Sequence, residues 1–192
     1  MKKETDEECR GCLAEAVSGC MMVLYESGGT DPTTGEQLPP IITLPETHVN
    51  PVIGEILAAA QESVKRRMEA EVEAKKSDWD EEAELSLEES LELEEELMSE
   101  LVDAHGYILK MNGPAFLPVF NALSAPFFRT LLPVGTHHSL ATAAVCVFDD
   151  AIEFIGEGAH VYLDISLPAF LHYAQSPHPI LRQASIYGSV IG

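Results

Sequence analysis

Displacing the sequence against itself by 44 residues brings Leu101 onto Val145, Ile108 onto Ile152, Met111 onto Ile155, Ala115 onto Ala159 and Leu117 onto Val161. The same offset brings Leu123 onto Leu167, Phe127 onto Leu171 and Pro133 onto Pro177. These are core-type positions at helical spacing, closed by a turn proline, so the chain repeats a unit of two helices. A unit of this kind cannot bury its apolar face alone and has to stack on its neighbours.

A two-helix period of about 40 to 47 residues is the spacing of HEAT and armadillo arrays. The expectation is therefore an all-α HEAT-repeat superhelical solenoid, a single array over residues 1–192 with about three helix pairs plus one helix. The first pair takes residues 1–76. Its first helix carries Leu13, Ala16, Val17, Cys20 and Leu24 and stops at Gly28-Gly29. Its second carries Ile53, Ile56, Leu57, Ala60, Val64 and Met68. Between them residues 28–45, with Asp31-Pro32, Gly35 and Pro39-Pro40, read as a loop insertion. Residues 77–90 read as an acidic insertion; from Asp78 to about Glu88 no apolar stripe is present and loop or frayed chain is expected, whereas Glu92, Glu95, Glu96, Glu100 and Asp103 are expected on the polar side of a helix. The second repeat, 91–133, has Leu93, Leu97, Leu101, Ala104, Ile108 and Met111 on one helix, then Phe116, Phe120, Leu123, Phe127 and Leu131 after Asn112-Gly113-Pro114. A third repeat spans 136–175, and 177–192 is the first helix of a fourth. Ile180, Ala184 and Ile191 would have no covering helix there, which suggests a piece of a longer array.

Charge narrows the function. The chain has 32 acidic and 11 basic side chains, a net charge of −21. From Asp78 to Glu100 there are twelve carboxylates and no Lys or Arg. Direct binding to a nucleic-acid backbone is not expected of such a chain. The start, MKKETDEECRG, lacks the apolar stretch of a signal peptide, and no apolar run reaches bilayer length, so no membrane insertion is expected. Cys9, Cys12, Cys20 and Cys146 do not make a disulfide framework in a chain of this size, which fits a reducing compartment.

Little in the sequence points to chemistry. Cys9-x2-Cys12 lacks the second ligand pair of a structural zinc site. His137 and His138 are adjacent and would diverge on a helix, so a loop or N-cap role is expected in place of a metal role. Gly28-Gly29-Thr30 lacks the Lys-Ser/Thr of a phosphate loop. No cofactor, no metal and no catalytic residue is expected, and the protein reads as a non-enzyme. Asp149, Asp150 and Glu153 cluster opposite the apolar face built by Leu140, Ala144, Val147, Ala151 and Ile155. They read as a solvated face, as partners of a neighbouring turn, or as contacts for a basic ligand. Asp78, Asp80, Glu81, Glu82 and Glu84 are the further candidate contacts for basic cargo, through electrostatic steering and weak contact. Trp79, among these acids, reads as an anchor holding the segment to the scaffold.

AAVCVFDDAIEFIG (Ala143 to Gly156), followed by SPHPILRQASIYG (Ser176 to Gly188), resembles the C-terminal part of karyopherin-beta (importin-beta) nuclear import receptors of the importin beta-three type. GPAFLPVFNAL (Gly113 to Leu123) is similar to the preceding repeat of that family, and an acidic insertion before it is a family feature. The resemblance implies a receptor that carries basic cargo proteins, such as ribosomal proteins and histones. It also implies that the full-length receptor contacts Phe-Gly nucleoporins, releases cargo when the GTP-bound Ran GTPase binds, and works in cytoplasm, nucleus and nuclear pore. The alternative is a HEAT-repeat scaffold subunit of another complex, for instance a phosphatase or translation assembly.

Overall fold

The computed structural model describes residues 4–74 and 81–191, and these are helical throughout apart from connecting turns and one loop. Helix α1 (Glu4–Tyr25) ends in a 3-10 turn at Glu26–Gly28, where the glycine pair signalled a stop. Its buried face is Ala14 and Ser18, with Val17 and Met21 against the core. The expected face is thus displaced by about one position: Leu13 is 65% exposed, and Ala16 and Cys20 are exposed too. Helix α1 packs along the third helix, and the two residues it buries, Ala14 and Ser18, are small.

The connection to α2 (Glu46–Glu73) is a loop ordered by its own hydrogen bonds. Thr30 and Gln37 form an isolated antiparallel bridge. Asp31 Oδ1 accepts from the Thr33 and Thr34 amides at 2.7 and 3.1 Å. Ser27 Oγ accepts from the amides of Ile41 and Ile42. In α2, Ile53, Ile56, Leu57 and Ala60 are buried as expected, but the line continues through Ser63 and Arg67 while Met68 is exposed.

Helix α3 (Glu81–Asn112) corrects the largest sequence expectation: residues 81–88, expected as loop or frayed chain, are helical. A missing apolar stripe says that a segment is not packed; it does not forbid helix when the residues are Glu, Leu, Ala and Ser feeding a long helix. Acids in the first turn are further favoured by the helix dipole. The stripe itself holds at Leu97, Leu101, Ala104 and Ile108. At its start the order inverts, with Leu93 exposed and Glu94 buried, because Arg66 forks onto both Glu94 oxygens. Trp79 lies outside the described residues.

Residues 113–131 form a composite helix, α4, of 3-10, α and π turns. Pro114, Pro118 and Pro126 each sit near the start of a piece, since a proline breaks the regular i→i−4 ladder and forces the local period to change. Helix α5 (His138–Asp150) is capped by His137, which accepts from the Ser139 amide at 3.4 Å, the capping role expected of it. A π turn, Ala151–Ile155, extends α5. Helix α6 comprises a 3-10 segment, Gly156–Tyr162, and Leu163–Tyr173, and α7 spans Pro179–Ile191.

Helices α1, α3, α5 and α7 pack side by side in chain order, and α2, α4 and α6 form the second layer. One continuous core joins them, with Phe116, Phe120, Phe128, Phe148 and Phe170 essentially inaccessible. Tyr173 Oη donates to the carbonyls of Leu132 and Pro133 at 3.2 and 2.7 Å, fastening α6 to the turn that precedes α5. This alternation of two layers is the expected all-α HEAT solenoid.

Candidate functional site

The chemically distinctive surface lies where α3 and α5 run side by side. Glu100, Asp103, Tyr107 and Lys110 recur at intervals of three and four on α3, and Cys146, Asp150 and Glu153 recur likewise on α5 and its π turn, with Asp149 at the inner edge of that face. Lys110 Nζ is 3.0 Å from Asp150 Oδ1 and 5.2 Å from the centre of the Phe154 ring. Among the described residues it is the basic side chain paired within this group.

Glycines make the two aspartates possible. A Cβ on Gly106 of α3 would lie 2.7 Å from Asp150 Oδ2, and one on Gly188 of α7 would lie 3.0 Å from Asp149 Oδ1. Asp150 therefore settles against α3 and Asp149 against α7, although they are neighbours in sequence. Asp149 is 8% exposed, and its Oδ1 is buried without a hydrogen-bond partner.

The electrostatics follow from one cation among five carboxylates. Burial, then Asp150 and Glu153, push the Asp149 carboxyl up to about 7. Asp150 is raised by burial, although Lys110 opposes the shift. Asp103 is raised by desolvation and by Glu100. Burial disfavours the charge on Lys110, yet Asp150 outweighs it and the ammonium is held more firmly than usual. Burial and the same acids push the Cys146 thiol up to about 12, so it is no nucleophile. What this face can do is attract and hold positive charge.

The structure distributes the sequence candidates unevenly. Asp78 and Asp80 lie outside the described residues. Glu81 and Glu82 begin α3, and Glu84 is exposed on it. Sixteen residues separate Glu84 from Glu100, about 24 Å along a helix, so the acidic start of α3 and the α3–α5 face are separate surfaces. Of the α5 trio, Glu153 is exposed, Asp150 is engaged by Lys110 and Asp149 is inside. Sequence reasoning placed Glu100 and Asp103 on a polar helix side but did not join them to Asp150. Their spacing on α3 was visible; that α5 lies beside it was not.

A second polar group joins repeats. Arg67, 2% exposed, donates to the Leu91 carbonyl at 3.4 Å and to Glu95 at 3.2 Å, and its Nη2 lies 3.0 Å from His137 Nδ1. The His138 ring stacks on that of His178, with centres 4.0 Å apart, and the His137 ring lies tilted against His138 at 4.2 Å. Glu95, His137 and His138 offer ligand atoms within 4.8 Å of one another, a spacing that could hold a metal ion. The Arg67 guanidinium already contacts Glu95 and His137, which makes it the cation of this cluster.

The fold and this surface define a helical-repeat scaffold with an acidic face. Residues 43–133, from the end of the loop through α2, α3 and α4, match the family described as Importin repeat 6. This part of the chain is therefore similar to the importin, or karyopherin-beta, transport receptors. A comparison with curated proteins finds no match. Among the described residues no helix is long and apolar enough to cross a membrane.

Proposed function

We propose that this chain works as a binding scaffold in the nuclear import of basic cargo proteins. The observation that carries the proposal is the α3–α5 face, where Glu100, Asp103, Asp150 and Glu153 are matched by Lys110, with Asp149 beneath them. A lysine- or arginine-rich segment lying across it would supply the missing positive charge. The acidic start of α3, Glu81, Glu82 and Glu84, with Asp78 and Asp80 before it, would steer such cargo towards the array. The likeness to receptors of the importin beta-three type supports cargo of the histone or ribosomal-protein kind. In this reading the Ran GTPase and Phe-Gly nucleoporins act through the full-length receptor, which moves between cytoplasm and nucleus through the pore. The protein does no chemistry in this role.

The test is the affinity of a histone for the chain and for a Glu100→Gln/Asp103→Asn/Glu153→Gln variant across a salt series. The variant should bind about tenfold more weakly, with a shallower salt dependence. Equal affinity and equal salt slopes would overturn the reading.

A further inference from the structure

The loop between α1 and α2 holds apolar side chains out in water. Ile41 is 79% and Ile42 58% exposed, and Leu38, just before Pro39-Pro40, is exposed as well. Single exposed apolar residues are ordinary, but a cluster of them at one loop tip marks a contact surface. The tip is also fixed in place. Ser27 Oγ accepts from the amides of Ile41 and Ile42 at 2.9 and 3.2 Å, Gln37 Nε2 donates to the Tyr25 carbonyl at 3.4 Å, and Leu44 packs on the core behind the tip. A Cβ on Gly28 would collide with the Leu38 and Pro39 carbonyls, so the loop returns directly against the end of α1. With two prolines leading into it, the tip has little conformational freedom left to lose when a partner covers it.

The tip borders the acidic face. Ser27, which holds it, is two residues beyond Tyr25, whose ring centre lies 5.7 Å from that of Tyr107 in the α3 row. The loop carries the same sign of charge: between positions 26 and 46 the charged residues are Glu26, Asp31, Glu36 and Glu46, with no Lys, Arg or His. An apolar knob among carboxylates is complementary to an apolar stripe bordered by cations.

We infer that Ile41 and Ile42 are the apolar anchor for a basic amphipathic helix of the partner, whose Lys and Arg side chains lie along the α3–α5 face while its apolar stripe covers the loop tip. This rests on the proposed reading of the acidic face and adds to it the form of the ligand. A plain lysine run would satisfy the acids and gain nothing from the isoleucines. A helix sets cationic and apolar side chains on adjoining faces of one segment, which is what the two neighbouring surfaces require.

The experiment is a fluorescence-anisotropy titration of the chain with two synthetic helical peptides of equal charge, one with Leu along a stripe between Lys and Arg, the other with Gln in place of each Leu. The parent should bind the Leu peptide about tenfold more tightly than the Gln peptide. Ile41→Ser/Ile42→Ser changes only solvent-facing side chains, and its circular dichroism should match the parent. It should bind both peptides alike, at the parent's affinity for the Gln peptide. Glu100→Gln/Asp103→Asn/Glu153→Gln should weaken both peptides together and keep their ratio. A parent that does not distinguish the peptides, or a double-serine variant that still does, overturns the inference while the acidic-face reading stands. Self-association of the parent that the double-serine variant lacks would give the tip to a second copy of this chain and overturn it as well. If neither peptide binds the parent, both readings fall.

Discussion

The Nη2 atom of Arg67 lies 3.0 Å from Nδ1 of His137, seventy residues further along the chain, and thereby ties the second helix to the turn that starts the fifth. Arg67 also reaches the Leu91 carbonyl and Glu95 on α3, so one buried guanidinium serves three parts of two repeats. Removing it would leave these acceptors without their donor. Arg67→Ala should cost about 3 kcal/mol in urea unfolding, and Arg67→Lys should restore little of it, because an ammonium cannot reproduce the planar fork. A loss within error of zero would show that water replaces the guanidinium freely.

His105 makes stability depend on acid. It is wholly buried between Phe116 and Phe128, with Nε2 2.7 Å from Ser124 Oγ, and burial lowers its pKa to about 4. The unfolded imidazole takes up its proton near pH 6.5 and the folded one only near 4, so the contribution is complete above 6.5 and is lost as pH falls between them. His105 alone should remove about 2 kcal/mol between pH 7.5 and 5. His105→Leu should be less stable at pH 7.5, since Ser124 loses its partner, and should show a flatter decline in denaturant melts. Parallel curves would contradict the assignment.

Asp149 acts in the opposite direction. Its folded carboxyl titrates near 7 and its unfolded one near 3.8, so the fold holds the extra proton and stability falls as pH rises from about 4 to 7. Asp149→Asn removes the ionisation. In thermal or urea unfolding the variant should gain over the parent as pH rises, reaching about 2 kcal/mol at pH 7.5 once solvent access is discounted. A gain that does not change with pH would place the benefit in packing and leave the charge without a role.

The acidic start of α3 should affect rates more than structure. Replacing Asp78, Asp80, Glu81, Glu82 and Glu84 with Ser in the full-length receptor should slow association with a basic cargo at low salt and flatten its salt dependence. Stopped-flow mixing measures both. Identical low-salt rates would leave these acids without a steering role.

The first helix of each repeat was legible because burial recurs in register there, Leu101 with Val145 and Ile108 with Ile152, whereas in the second helices the register fails, with Val161 and Leu171 exposed and Ala115 exposed against a buried Ala159. Faces were harder to read where polar residues went inside. Hydrophobicity put Leu93 in and Glu94 out, whereas Arg66, 28 residues earlier, reverses them. The same holds for α2, where the line ends on Arg67 instead of Met68 because its acceptors come from other elements. The α5 trio was visible as acids, but only the packing of α5 between Gly106 and Gly188 separates the buried Asp149 from the lysine-bound Asp150 and the open Glu153.

The π turn at Ala151–Ile155 bears on how such repeats drift in length. A π turn holds one more residue than an α turn between the same hydrogen-bonded ends. Deleting one residue there would convert it to an ordinary α turn and leave α5 and α6 seated as before. The same deletion inside His138–Asp150 would rotate every following side chain by about 100°, turning Asp149 and Asp150 off the glycines that receive them. Related repeats can therefore differ by a residue at this point and still superpose, and an alignment that forbids gaps within helices would misplace the acidic face.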